Sequence, residues 1–139
     1  MTAEQTFNHV IRYFNEQDWG SIEDYLADGL MVKKVDDPDR VGPKRTLMNY
    51  LRGMDETPYM SAGTYHVQTL DAAHPKTVVI SGQGSYVDDT SKQGQRPEAM
   101  AYTFTFSQDN KDNWLLFDVW AALVNSDGSI QAATSSSGY

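Results

Sequence analysis

At Gly63 the spacing of apolar residues changes from helical to alternating, and this one change limits the architecture more than any other pattern in the chain. Before it, Phe7, Val10, Ile11 and Phe14 recur at i, i+3, i+4 and i+7, and Thr2 with Gln5 has the spacing of a capping box, which predicts an amphipathic helix over residues 3–16. Ser21 and Asp24 repeat the capping pattern, Ile22, Tyr25 and Leu26 supply an apolar face, and Gly29 stands where a helix C-terminus wants glycine, so a short second helix is expected. Leu30 to Val35 reads as a strand. Gly42-Pro43 then opens a third helix whose inward stripe is Leu47, Tyr50, Leu51 and Met54.

After Gly63 come four runs rich in β-branched and aromatic residues: Tyr65 to Leu70, Thr77 to Val87, Ala99 to Phe106 and Trp114 to Val124. Turn residues separate them at 73–76, 88–97 and 108–113, which means successive antiparallel hairpins and not helical crossovers. Helices first and strands afterwards give an α+β fold, with three N-terminal helices packed on one face of a curved, mostly antiparallel sheet. No internal repeat is present. Residues 3–125 read as a single domain and 126–139, small and polar with Ser135, Ser136 and Ser137, as a flexible tail.

The last run is apolar on both faces: Leu115, Phe117, Val119, Ala121 and Leu123 on one, and Trp114, Leu116, Trp120 and Val124 with Asp118 on the other. An antiparallel sheet with one covered face alternates apolar with polar, so both faces here want cover. Helices supply one cover. A second copy of the chain is the economical source of the other, which predicts a homodimer through the outer sheet face at Asp118 and Trp120.

Composition removes several functions. With 11 Lys and Arg against 19 Asp and Glu, the net charge of −8 disfavours nucleic acid and anionic lipid as partners. The chain has no cysteine, which excludes disulfides, thiolate metal sites and cysteine nucleophiles. No run is long and apolar enough to span a bilayer, and the first residues lack a signal-peptide pattern, so a cytoplasmic protein is expected.

The most charged stretch, VKKVDDPDRVG, places Asp37, Asp39 and Gly42 at positions one, three and six of a calcium-loop pattern. That pattern breaks at Val41 in position five and at Met48, where a bidentate glutamate belongs, so no metal is expected. His9, His66 and His74 have no zinc-site spacing. Gly82-Gln83-Gly84 resembles the start of a dinucleotide motif, but Val87 stands at the third glycine and no helix follows; glycines in a long strand suit a bend or bulge instead. No cofactor is expected.

The order of elements, with YFNEQDWGSIEDYLADGLMV, VGPKRTLMNYL and the closing NWLLFDVWAALV, resembles the NTF2-like superfamily, which includes the SnoaL-like polyketide cyclases and the ketosteroid isomerases. The resemblance covers residues 3–125. It implies a cystatin-like cone with a cavity between helices and curved sheet, often a dimer through the outer sheet face, and no fixed function.

By that resemblance, Tyr13 matches the first-helix tyrosine that donates to a developing enolate in the isomerases, and Tyr102 falls where a second oxyanion donor sits. Each reads equally as a core aromatic. The general base carries over onto Lys33 or Lys34 and not onto a carboxylate, which puts isomerase chemistry by the familiar route in doubt. His66 matches the strand histidine that the fold's dehydratases use, although its strand neighbours Thr64, Gln68 and Leu70 make a mixed face. The resemblance makes Phe14, Met100, Phe104, Phe117, Val119 and Ala121 the cavity wall and leaves Asp118 outside.

Two functions follow. One is a small-molecule site holding an apolar, carbonyl-bearing ligand, with or without isomerase-, cyclase- or dehydratase-like turnover. The other is a non-catalytic dimerisation domain with a residual cavity.

Overall fold

In the computed structural model, residues 1–34, 37–41, 43–72 and 75–130 are described, those at 33, 34 and 37–41 by their backbone alone. Thr2 starts the first helix as expected: its hydroxyl accepts from the Gln5 amide at 3.1 Å while the Gln5 side chain accepts from the Thr2 amide at 2.8 Å. Helix α1, Ala3–Asn15, buries Ala3, Thr6, Phe7, Val10 and Ile11. It stops where Gln17 takes a left-handed φ of 56° and its side chain donates to the carbonyls of Phe14, Asn15 and Pro58.

The second helix begins earlier than its spacing suggested. Asp18, not Ser21, is the cap, its carboxylate accepting from the Ser21 amide and hydroxyl at 3.2 and 2.8 Å, and α2 spans Trp19–Glu23. Leu26 and Gly29, expected at its C-terminal end, belong to strand β1, Leu26–Lys34. The second strand was also not anticipated. The charged residues around Pro38 make β2, Asp37–Val41, an edge strand antiparallel to β1; an edge tolerates proline because only one side of the strand needs ladder hydrogen bonds. The calcium-loop aspartates lie on this stretch, where side chains fall outside the described residues, as do His74 and the chain from 131 onward.

Helix α3, Lys44–Arg52, starts after Pro43. Its buried residues are Met48 and Leu51, whereas Tyr50, expected in the inward stripe, is 58% exposed. Strands β3 (Tyr59–Leu70), β4 (Thr77–Val87), β5 (Glu98–Gln108) and β6 (Trp114–Leu123) form the antiparallel meander predicted from the alternating period. One six-stranded sheet results, in the order β2-β1-β6-β5-β4-β3, with β1 and β6 its parallel pair. Of the stretch expected to be a flexible tail, 126–130 turns back so that Val124 and Ile130 form a bridge.

Two irregularities shape the sheet. At Ala62-Gly63 the β3–β4 register slips, Gly63 adopts a φ of +62°, and β3 comes so close to β4 that a Cβ on Gly84 would stand 1.8 Å from the Ser61 carbonyl oxygen. Gly82 and Gly84 are therefore the glycines of a tight bend, as the strand reading anticipated. On β6 the register slips between the Thr105–Asp118 and Phe106–Leu116 pairs, which leaves Phe117 out of the ladder. Leu116 consequently faces the helices together with Val119, Ala121 and Leu123, although strict alternation would set it on the opposite face.

The space between helices and sheet is filled unevenly. Toward the start of α1, Phe7 packs edge-on against Tyr65, Phe104 and Phe106 and stacks on Tyr102, closing that half with aromatic rings. Toward the end of α1, where Val10, Ile11 and Phe14 face the sheet, space stays open. No described helix is long and apolar enough to cross a membrane.

Candidate functional site

The open half is a cavity of about 300 Å³. Helix α1 contributes Val10, Ile11 and Phe14, α3 contributes Leu47 and Leu51, and β1 contributes Leu30 and Val32. The sheet wall is Met100 and Phe104 on β5 with Leu116, Val119, Ala121 and Leu123 on β6. Nothing in this wall competes for water, so displacing solvent from it favours an apolar occupant. The volume lies at the small end of the range for ligand pockets and suits a molecule of one or two rings.

Among the described residues, polar groups enter the lining at three: Tyr50 of α3, Tyr86 at the end of β4 and Asp88 just beyond it. Tyr86 pairs with Glu98 at the start of β5, and Met100 pairs with Leu123 at the end of β6, so these groups gather at one end of the sheet. Tyr50 and Asp88 both line the cavity and both meet solvent, which places them at its opening. The segment that frames this end is firmly held. The Asn15 side chain pairs with the Met60 backbone in both directions, at 2.7 and 2.8 Å, replacing the strand partner that Met60 lacks on its free side. Asp89, buried among chain turns, accepts from the Thr57 and Ser91 amides and from the Ser91 hydroxyl. The Ser91 hydroxyl is the main reason that its carboxyl lies below the usual carboxylate range, with the Thr57 and Ser91 amides adding to the effect.

Five of the six expected wall residues, Phe14, Met100, Phe104, Val119 and Ala121, line this cavity. Phe117 does not. The β6 bulge takes it out of the alternation that had placed it there, and Leu116 takes its place.

The expected oxyanion donors are not brought together. Tyr13 lies outside the lining, on the flank of α1, with its ring 6.0 Å from those of His9 and Tyr25 and its hydroxyl accepting from Arg12 Nη2 at 3.1 Å. Tyr102 is 1% exposed and belongs to the filled half, where its hydroxyl donates to the Ala62 carbonyl at the β3 bulge; Gly82, its partner across the ladder, has no side chain to stand between. Burial pushes the Tyr102 phenol up to about 12, so it stays neutral at any ordinary pH. His66 lies exposed on the outer face, opposite Ser81. Lys33 and Lys34 stand in register with Trp120 and Ala121, and their side chains lie outside the described residues.

Tyr50, Tyr86 and Asp88 line the cavity and are not among the residues expected there. Tyr50 carried a signal, its place in the apolar spacing of α3, but that spacing reports facing and not which part of a core is left unfilled. Asp88 carried none beyond its turn composition. Among the described residues no group of three His, Asp or Glu side chains is placed to hold a metal.

No protein-family model and no curated protein matches the sequence. Solved structures do match in fold. A candidate calcium/calmodulin-dependent protein kinase II association domain from Xanthomonas campestris superposes with a TM-score of 0.70 at 14% identity, over 86% of this chain and 84% of that one. An NTF2-like protein with a cystatin-like fold from Novosphingobium aromaticivorans gives 0.70 at 10% identity, over 88% and 79%. A candidate dehydratase of the NTF2-like family from Streptomyces avermitilis gives 0.69 at 10% identity, over 88% and 94%. The chain has the NTF2-like, cystatin-like fold, which leaves its chemistry to be argued from the site.

Proposed function

We propose that residues 3–125 form a single small-molecule-binding domain that takes an apolar ligand of one or two rings into the cavity between α1, α3 and the sheet. The observation that carries this reading is the 300 Å³ of space with an almost wholly apolar wall beside the aromatic cluster around Phe7. Natural cores leave few voids, because unfilled apolar volume costs stability, so an open cavity of this size is retained for an occupant. A carbonyl on the ligand would find a phenol donor at Tyr50 and not at Tyr13 or Tyr102. Turnover is not part of the proposal, since the lining places no acid or base deep in the cavity among the described residues. A cytoplasmic site of action accompanies it.

Titration calorimetry with indane and indan-1-one tests the reading. Both ligands are expected to bind wild type and to lose binding in Ala121→Phe, whose ring would occupy the cavity. Equal heats in wild type and Ala121→Phe would place the binding elsewhere.

A second reading has its own support. The outer face of the sheet carries Val79, Ala101, Thr103, Thr105 and Trp120, half-buried and with Asp118 among them, and no described helix lies over it, which suits a homodimer interface centred on β5 and β6. A dimer is compatible with ligand binding; if the cavity proves empty of function, association remains as the alternative role.

A further inference from the structure

We propose that the ligand's polar end is a cation, and that the cavity selects amines with an apolar body over alcohols and acids of the same shape. The inference rests on the cavity reading above and adds the chemistry of its opening. Among the described residues, Asp88 is the one charged side chain in the lining, and no lysine, arginine or histidine accompanies it there. Its carboxylate makes no hydrogen bond or ion pair with a described residue, in contrast to Asp89 beside it, whose oxygens are taken up by Thr57 and Ser91.

An ionised carboxylate is an acceptor only. A ligand carboxylate or developing oxyanion at this opening meets repulsion, a carbonyl gains nothing from it, and an ammonium gains a charge-assisted hydrogen bond. Tyr50, exposed at the opening, fits the same partner: its ring offers a face to which a cation is attracted. Met54 and Met60, also in the lining, add polarisable apolar surface that adapts to different ligand bodies. The molecule's net charge of −8 raises the local concentration of cations around such an opening.

The probes are 2-phenylethylamine, 2-phenylethanol and 3-phenylpropionate, which share an aromatic body and differ in the charge of the head. Calorimetry at low salt is expected to give the amine an affinity about three- to tenfold above the alcohol, the range for an ion pair partly open to solvent, and the carboxylate the weakest binding. The amine's advantage should shrink as salt is added, vanish in Asp88→Asn and persist in Asp88→Glu. Binding of all three with no preference, or a preference that survives Asp88→Asn, overturns the cation inference and leaves the cavity reading standing. Binding of none, or binding unaffected by Ala121→Phe, overturns the cavity reading and this inference with it.

Discussion

Tyr102 shows how a residue of the right type at a plausible position can serve the fold and not the site. A buried phenol beside an apolar space has the chemistry of an oxyanion donor, but its single proton is already given to the Ala62 carbonyl. Removing the hydroxyl should therefore act on stability. Tyr102→Phe takes the donor from this part-buried carbonyl and is expected to cost about 1–3 kcal/mol in urea unfolding while leaving ligand affinity unchanged. Its pH dependence follows from the sign of the shift. The phenol in the unfolded chain ionises near 10 and in the folded chain near about 12, burial being the main cause and the neighbouring Tyr65 adding to it. The stabilisation from the neutral, buried form is fully present below about pH 10 and is lost as pH rises toward about 12. Wild type should lose stability across that window more steeply than Tyr102→Phe; parallel curves would contradict the assignment. Which tyrosine touches a ligand was not legible from type and spacing, because both Tyr13 and Tyr102 satisfy the pattern and only packing against Phe7, or against His9 and Tyr25, decides where each ring goes.

The elements were legible where local signals agree and illegible where backbone irregularity intervenes. The capping box of Thr2 and the apolar spacing of α1 place that helix within one residue, and the alternating runs after Gly63 locate all four strands of the meander. β2 was lost because Pro38 and dense charge argue against a strand unless it lies at an edge, which is a property of the whole sheet. Phe117 was misplaced because a bulge shifts the alternation by one, and nothing in WLLFDVW marks it. The glycines of β4 fared better, since glycine in a long strand suits a bend or bulge. Their contributions should separate cleanly from that of a glycine without neighbours. Gly84→Ala would drive its Cβ into the Ser61 carbonyl and is expected to cost roughly 3 kcal/mol or more, whereas Gly29→Ala has open space around it and should change the melting temperature little. A Gly84→Ala variant as stable as wild type would mean that the tight bend is absent.

At the scale of the whole molecule, a sheet covered on one face by helices and on the other by none of the described residues leaves two surfaces to account for. The outer face predicts that the protein sediments at twice its chain mass and that Trp120→Glu, which sets a charge among Thr103, Ala101 and Ala122, shifts it to the monomer. A wild-type monomer at micromolar concentration would contradict the homodimer. The inner face holds the cavity, and the claim that it is kept open for an apolar ligand can be examined without knowing that ligand. Xenon enters preformed apolar cavities whatever their natural occupant. A crystal of the protein pressurised with xenon should show the gas between Phe14, Leu30, Met100 and Val119, and none there in Ala121→Phe. Side chains closing over that space, with no xenon among them in wild type, would contradict the account.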